Sequence, residues 1–421
     1  MTTTNTHRAI EAVWRIESAR VIATLVRMLR SLDLAEELAQ DALVAALERW
    51  PQTGVPDNPG AWLVTTAKHR AIDRLRRDRL AERKFEEFGH ALDAATDVRD
   101  EAAAMADDDI GDDLLRLVFA TCHPLLPTDA RVALTLRLLG GLATDEIARA
   151  FLVPEATIAQ RIVRAKRTLA KAAVAFEVPR GSELEERLAS VLDVVYLVFN
   201  EGYSATAGND WTRPDLCAEA LRLGRVLAGL VPAEPEVHGL VALMELQASR
   251  LRARVDADGE PILLAEQDRA RWDQLLIRRG LDALARAERL GGAFGNYALQ
   301  GAIAACHARA KNSDQTDWAR IASLYAVLAR QTASPVVELN RAVAVAMSSG
   351  VQAGLDLVDA LASEPALANY HLLPSVRADF LFKLERKAEA RGEFERAASL
   401  TRNDRERAFL LERAARCDAA S

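Results

Sequence analysis

Five basic side chains fall within eleven residues: Arg161, Arg164, Lys166, Arg167 and Lys171, with no acid among them. Such a row on one helix suits the phosphates and base edges of a DNA major groove. The bland alternative is the solvated face of an ordinary bundle helix. What precedes the row favours DNA. Thr144 can cap a short helix whose Ile147, Ala148 and Phe151 face inward, and Leu152-Val153-Pro154 breaks the chain. A second helix from Glu155 then buries Ile158, Ile162 and Leu169 and carries the basic row. This is helix–turn–helix spacing. A second basic stretch, residues 68–84, holds eight basic residues against three acids, with Trp62 and His69 near its start. Cations interleaved with planar groups suit a single strand with unstacked bases, although Trp62 reads more readily as a core anchor.

Other reactive residue types carry less. Cys122, Cys217, Cys306 and Cys417 lie far apart, which fits isolated thiols and no disulfide framework. Cys122-His123 and Cys306-His307 resemble metal pairs, but adjacent side chains seldom share one ion without further ligands, so no metal is expected. Asp256, Asp258 and Glu260 have calcium-loop spacing, yet Pro261 stands where such a loop needs Gly and Gln267 where it needs Glu. A turn is the better reading. No phosphate-cradling Gly loop, HExxH or Gly-x-Ser-x-Gly occurs. Neither an enzyme nor a cofactor is therefore expected.

The elements that must position the basic rows are helical. Of 421 residues, 50% are hydrophobic and 27% charged, enough for a real core in two to four domains. Ile10, Trp14, Val21, Leu25, Met28 and Leu32 form one stripe at helical spacing, and Leu43, Leu47 and Trp50 form another. Helix starts are marked by Asp33 with Glu36, by Asn58-Pro59 and by Ser182 with Glu185. An all-α fold follows. No apolar run is long enough to span a bilayer, and the start lacks the apolar core of a secretory signal. A cytoplasmic protein with no membrane contact is expected. The net charge of −7 argues against general stickiness to nucleic acid, leaving the local basic rows as the informative feature.

Composition divides the chain at residues 8–87, 88–113, 114–177 and 182–421. Between Gly89 and Asp113 nine acids stand against Arg99 alone, which reads as a self-repelling linker. The last region repeats weakly: Arg341-Ala342, Ser349-Gly350 and Gln352-Ala353-Gly354 recur in kind 36 residues later as Arg377-Ala378, Glu385-Arg386 and Ala388-Glu389-Ala390. That offset is near the ~34-residue period of tetratricopeptide helix pairs, so stacked hairpins are favoured over an irregular bundle.

The order of segments 33–50, 61–77 and the helix–turn–helix closely resembles a bacterial RNA polymerase sigma factor of the extracytoplasmic-function (ECF) group, over residues 8–172. The resemblance implies that 8–87 is sigma domain 2 and 114–177 sigma domain 4. It implies that Asp33, Glu36, Glu37, Gln40 and Asp41 meet the β′ clamp of core RNA polymerase, domain 4 also meeting the β flap. Thr65, Lys68, His69, Arg70, Arg74, Arg76 and Arg77 would open the −10 element and hold its single strand. His69 stands where many relatives have Asn, and Lys68 where Arg is common, so base preference at −10 stays open. Thr157, Gln160, Arg161, Arg164, Lys166 and Arg167 would read the −35 duplex, and the acidic linker would thread the RNA exit path.

Residues 182–421 resemble the tetratricopeptide-like extension of one subgroup, through 199–204, 264–272, 316–318 and 334–341. That implies regulation from within the chain. Asn200, Glu201, Tyr203, Gln267, Asp268, Arg269 and Trp272 could line a pocket for a small ligand or a dock for a protein partner. Capping and mutual pairing inside the stack is the favoured reading. The competing functions are a conventional helix–turn–helix regulator with a ligand-sensing helical domain, which has no need of the 33–50 segment, and an enzyme tethered to a DNA-binding front, for which no catalytic set is found.

Overall fold

The computed structural model describes residues 3–86, 110–151, 153–205, 207–208, 211–256 and 260–417. Most of the expected linker, residues 88–109, lies outside them. Among the described residues the fold is all-α apart from a two-residue parallel pair and an isolated antiparallel bridge between Val255 and Pro261, and the chain forms two compact units, Met1–Val194 and Val195–Ser421.

The first unit opens with α1 (Thr3–Leu29), α2 (Leu32–Thr53) and α3 (Pro59–Glu86). The expected stripe of α1 supplies its core, Ile10, Val21 and Leu25 being at most 1% exposed, whereas on α2 Leu47 of the expected stripe is exposed and the buried face runs through Ala35, Ala39, Ala42 and Ala46, all fully buried. Four alanines on one face let α2 lie close to its neighbours. Trp50 is buried and its ring meets Trp62 edge-on at 5.3 Å, so Trp62 braces α3 against α2. Asn58 caps α3, its Oδ1 accepting from the Ala61 N–H at 3.0 Å. The start of α2 differs from expectation. Ser31 is the cap, accepting from the Leu34 N–H at 3.3 Å, while Asp33 lies inside the first turn. A hydroxyl two residues earlier satisfies the orphan donor, leaving both Asp33 and Glu36 for other partners.

Next come α4 (Ile110–Thr121), α5 (Thr128–Leu138), α6 (Thr144–Phe151) and α7 (Glu155–Lys171). Asp112 and Asp113, at the end of the expected linker, lie on α4, and Asp113 is 2% exposed. Arg27 at 3.1 Å and Arg116 at 3.0 Å neutralise it, which ties α4 to α1. A long helix α8 (Ser182–Tyr203) follows, and its first part belongs to this unit. Arg187 donates to the Phe119 carbonyl at 2.9 Å and Ser190 to the Cys122 carbonyl at 2.6 Å, giving partners to orphan acceptors at the end of α4.

The second unit takes the rest of α8, then α9 (Pro214–Leu230), α10 (Pro235–Ala248), α11 (Gln274–Arg289), α12 (Asn296–Arg309), α13 (Trp318–Thr332), α14 (Pro335–Ser349), α15 (Val351–Ala360), α16 (Leu372–Lys383), α17 (Lys387–Leu400) and α18 (Asp404–Arg416). From α9 to α18 successive helices pack on one another, and α10 also meets α12. The parallel pair joins Ala207–Gly208 to Arg402–Asn403. Sequence repetition has a structural counterpart. Ala342 and Ala378 are fully buried, and Gly354 and Ala390 take matching places on α15 and α17. A Cβ on Gly354 would stand 2.4 Å from the Ala346 Cβ, so α14 and α15 approach at a distance only Gly permits. The turn before each second helix bends through a positive φ, 106° at Gly350 and 59° at Glu385.

All four cysteines are buried, and none is in a disulfide. Burial raises the Cys122, Cys217 and Cys306 thiols, Cys217 to about 12. Asp256 and Glu260 close a turn on each other, the Asp256 N–H donating to the Glu260 carbonyl at 3.0 Å and the Glu260 N–H to Asp256 Oδ1 at 2.8 Å. Asp258 lies outside the described residues.

Candidate nucleic-acid interface

The helix–turn–helix forms because α6 and α7 bury one apolar seam. Ile147 is fully buried, Ile158 is 1% and Leu169 2% exposed. Glu146 reaches back to accept from the Ala143 N–H at 2.7 Å, closing the start of α6, and Pro154 opens α7. Thr144 is the first residue of α6, inside the helix it was expected to cap. On the opposite face of α7, Gln160, Arg164, Arg167 and Lys171 are exposed and Thr157 is half-buried. These side chains present donors to solvent along one ridge, as groove reading requires.

Two other members of the row are occupied. Arg161 meets Asp129 of α5 at 2.9 Å. Lys166 is 9% exposed, with Nζ 2.5 Å from Glu36 Oε2 and 2.9 Å from Asp33 Oδ1. Arg137 of α5 adds a second cation to Glu36, Nε to Oε1 at 2.6 Å, and also donates to the Leu142 carbonyl at 3.2 Å. The row is thus uncompensated within its own helix and partly compensated by acids from α2 and α5. Sequence reading missed Arg137 and Asp129. Their partners lie 101 and 32 positions away, and no local pattern links them.

The electrostatics of this cluster reinforce one another. Burial alone would raise the Glu36 carboxyl, but the hydrogen bond and charge of Lys166, with those of Arg137, outweigh it and hold Glu36 below the ordinary carboxylate value. Burial would lower Lys166, and Glu36 with Asp33 reverse the direction and raise it. Of the remaining candidates on α2, Glu37 and Gln40 are exposed, Gln40 donating to Glu36 at 3.4 Å, and Asp41 pairs with Arg70 of α3 at 3.2 Å.

On α3, Thr65, His69, Arg76 and Arg77 are exposed, and Lys68, Arg70 and Arg74 half-buried. Arg76 lies 4.0 Å from Asp73, and Arg77 Nε donates to the Asp73 carbonyl at 3.3 Å. The helix presents polar and basic groups on its outer side while Leu63, Ala67 and Ala71 face the core.

Six of the seven candidates of the second unit serve internal contacts. Glu201 pairs with Arg213 at 2.5 Å, and Tyr203 stacks on Phe199 at 5.8 Å and accepts from Arg250. Gln267 donates to the Ile262 carbonyl at 3.1 Å, and Asp268 caps a short 3₁₀ turn at Arg269–Arg271. Arg269 donates to the carbonyls of His307 and Ala310, and Trp272 is 3% exposed. Asn200 is exposed. None of the seven lines the cavity found in this unit.

Known proteins share this organisation. Residues 15–80 match sigma-70 region 2, residues 116–169 match sigma-70 region 4, and residues 187–288 match a family of unknown function, DUF6596. The chain is 32% identical over 165 residues to the RNA polymerase sigma-H factor of Pseudomonas aeruginosa, covering 36% of this chain and 80% of that protein. It is 31% identical over 156 residues to the ECF RNA polymerase sigma factor SigK of Mycobacterium tuberculosis, covering 36% and 78%. An uncharacterized protein of Rhizobium meliloti is 44% identical over 395 residues, covering 93% of this chain and 92% of its own length. No solved structure matches the chain. The chain belongs to the sigma-70 family, as an ECF-like sigma factor extended by a second helical unit. Among the described residues no helix is long and apolar enough to cross a membrane.

Proposed function

We propose that this sigma factor acts in the cytoplasm, binding core RNA polymerase through Asp33, Glu36, Glu37, Gln40 and Asp41 of α2 and directing it to promoters. In that reading Thr65, Lys68, His69, Arg70, Arg74, Arg76 and Arg77 of α3 hold the opened −10 strand, and the outer face of α7 reads the −35 duplex. The observation that carries it is the pairing of an α7 whose polar ridge faces solvent with region 2 and region 4 matches in the same order along one compact unit. Polymerase and promoter are the only partners this assignment needs, and no catalytic step is involved.

The same cluster gives the free chain an order of events. Lys166 covers Glu36 and part of Asp33, so the polymerase clamp and α7 compete for one set of carboxylates. Clamp binding therefore releases α7 for the −35 element. The second unit, a stack of tetratricopeptide-like hairpins, sets how readily this happens.

The test is core-polymerase affinity of the native chain against Lys166→Ala. Tighter binding by the variant supports competition, and unchanged affinity removes it. Reversal of charge at Arg164 separates DNA reading from polymerase binding: Arg164→Glu should lose promoter transcription with polymerase affinity intact. An equal fall in both would show that α7 is not a promoter-reading helix.

A further inference from the structure

The second unit holds a partly open cavity of about 200 Å³ between α10, α12, α13 and α14, with Leu264 also in its wall. Its walls are about evenly polar and apolar: Leu246, Ile303 and Leu328 are among the apolar residues, and Arg250, His307, Tyr325, Gln247, Gln300 and Asn340 supply the polar groups. No carboxylate lines it. The volume exceeds what one or two waters fill at about 30 Å³ each, and lies below the ~300–1,000 Å³ of drug-sized sites. A metabolite-sized guest fits that scale.

The charge around this cavity is one-sided. Arg250 donates to Tyr203 and Gln247, both neutral, and forms no ion pair among the described residues. Its guanidinium lies 5.7 Å from the centre of the Tyr203 ring and 5.6 Å from that of Trp272. Arg254 sits on Tyr203 at 3.8 Å and Arg269 on Trp272 at 5.0 Å. Three guanidinium groups thus gather on two aromatic rings. Arg269 feels the cost: burial first, then the charge of Arg250, lowers its pKa. His307 is 9% exposed, its ring held edge-on by Trp318 at 5.1 Å, and its Nδ1 is buried with no hydrogen-bond partner among the described residues. Burial, then Arg250 and Arg269, lowers His307 to about 3, so it stays neutral at physiological pH. Two carboxylates on neighbouring segments have other contacts: Glu245 Oε1 pairs with Arg225 at 2.7 Å, its Oε2 having no hydrogen-bond partner among the described residues, and Asp268 caps the 3₁₀ turn. A buried polar atom left unpartnered costs about 1–3 kcal/mol, and buried like charges repel.

We infer that the cavity binds a small organic monocarboxylate, its carboxylate on Arg250, its remaining polar contact at His307, and its apolar body against Leu246, Ile303 and Leu328. The anion supplies the missing counter-charge, and the arginine fork suits a carboxylate. The site lies wholly in the second unit, so its test needs no polymerase and does not depend on the promoter-binding assignment.

The experiment is calorimetric titration of the full chain with benzoate and isovalerate, with benzamide as the neutral analogue and inorganic phosphate as the bare anion. Arg250→Gln keeps a donor toward Tyr203 and removes the charge. His307→Phe keeps the ring against Trp318 and removes both nitrogens. The expected result is saturable binding of a monocarboxylate, weakened about tenfold or more in Arg250→Gln and weakened in His307→Phe, with both variants melting cooperatively and His307→Phe no less stable than the native chain. Arg250→Lys should retain part of the affinity. Absence of binding by both monocarboxylates at millimolar concentration, equal binding of benzamide, binding of phosphate alone, or unchanged affinity in Arg250→Gln would each overturn the assignment.

Discussion

At the scale of single residues, Glu36 is the hinge of the first unit's chemistry. Its side chain is 12% exposed and faces Lys166 and Arg137, so removing its charge leaves two cations short of a partner. Glu36→Gln should destabilise the chain by about 1–3 kcal/mol at neutral pH, read as a lower urea midpoint. The pH dependence has a definite sign. Because folding lowers the Glu36 pKa, its contribution is complete above the unfolded value of about 4.3 and is lost as pH falls through the folded one. Lys166 is raised, so its contribution holds below about 10.4 and is lost as pH rises through its folded value. The difference between native chain and Glu36→Gln should therefore stay constant from about pH 6 to 9 and shrink toward zero below about pH 4. A difference that changed between pH 6 and 8 would place another titrating group in the cluster. Little of this was legible beforehand. The acids of α2 and the cations of α7 were each recognisable as candidates from their own spacing, but their meeting is a property of tertiary folding.

Helix contacts make the next scale. The helix–turn–helix was readable because its determinants are local: a break at Pro154, apolar residues at three and four, and a basic row within one helix. Caps were read less well. Ser31 and not Asp33 opens α2, and choosing between two polar residues two positions apart requires knowing where the backbone turns. The 36-residue offset in the second unit aligns Ala342 with Ala378, both fully buried, and Gly354 with Ala390, each the fourth residue of its helix. Two glycines put this to a test. Gly354→Ala drives a methyl to 2.4 Å from Ala346 and 2.9 Å from the Ala342 carbonyl, and should cost about 1–3 kcal/mol. Gly392, inside α17 with nothing within 4 Å of a built Cβ, should behave oppositely. Gly392→Ala should stabilise by up to about 1 kcal/mol through helix propensity. Urea denaturation of the two variants reads both signs.

Over the whole molecule, the dividing line between the units falls within α8, at Val194, and not at the Pro179–Gly181 turn where composition shifts. Arg187 and Ser190 explain the difference: both bond to carbonyls of the first unit, and a turn-rich segment upstream says nothing of that. A chain ending at residue 181 should be less stable and more readily proteolysed than one ending at residue 203, which keeps both bonds. Regulation by the second unit is then measured properly by comparing the longer truncation with the full chain in transcription. A changed rate with unchanged promoter choice is expected, and identical rates would leave the second unit without a regulatory role.

The most direct measurement is reconstitution of the full chain with core RNA polymerase, scored by co-elution and by transcription from the promoter upstream of its own gene. Co-elution with a discrete transcript, lost in Arg164→Glu while co-elution persists, is the predicted result. Duplex DNA binding by the isolated chain with no polymerase association would contradict it and leave a conventional regulator.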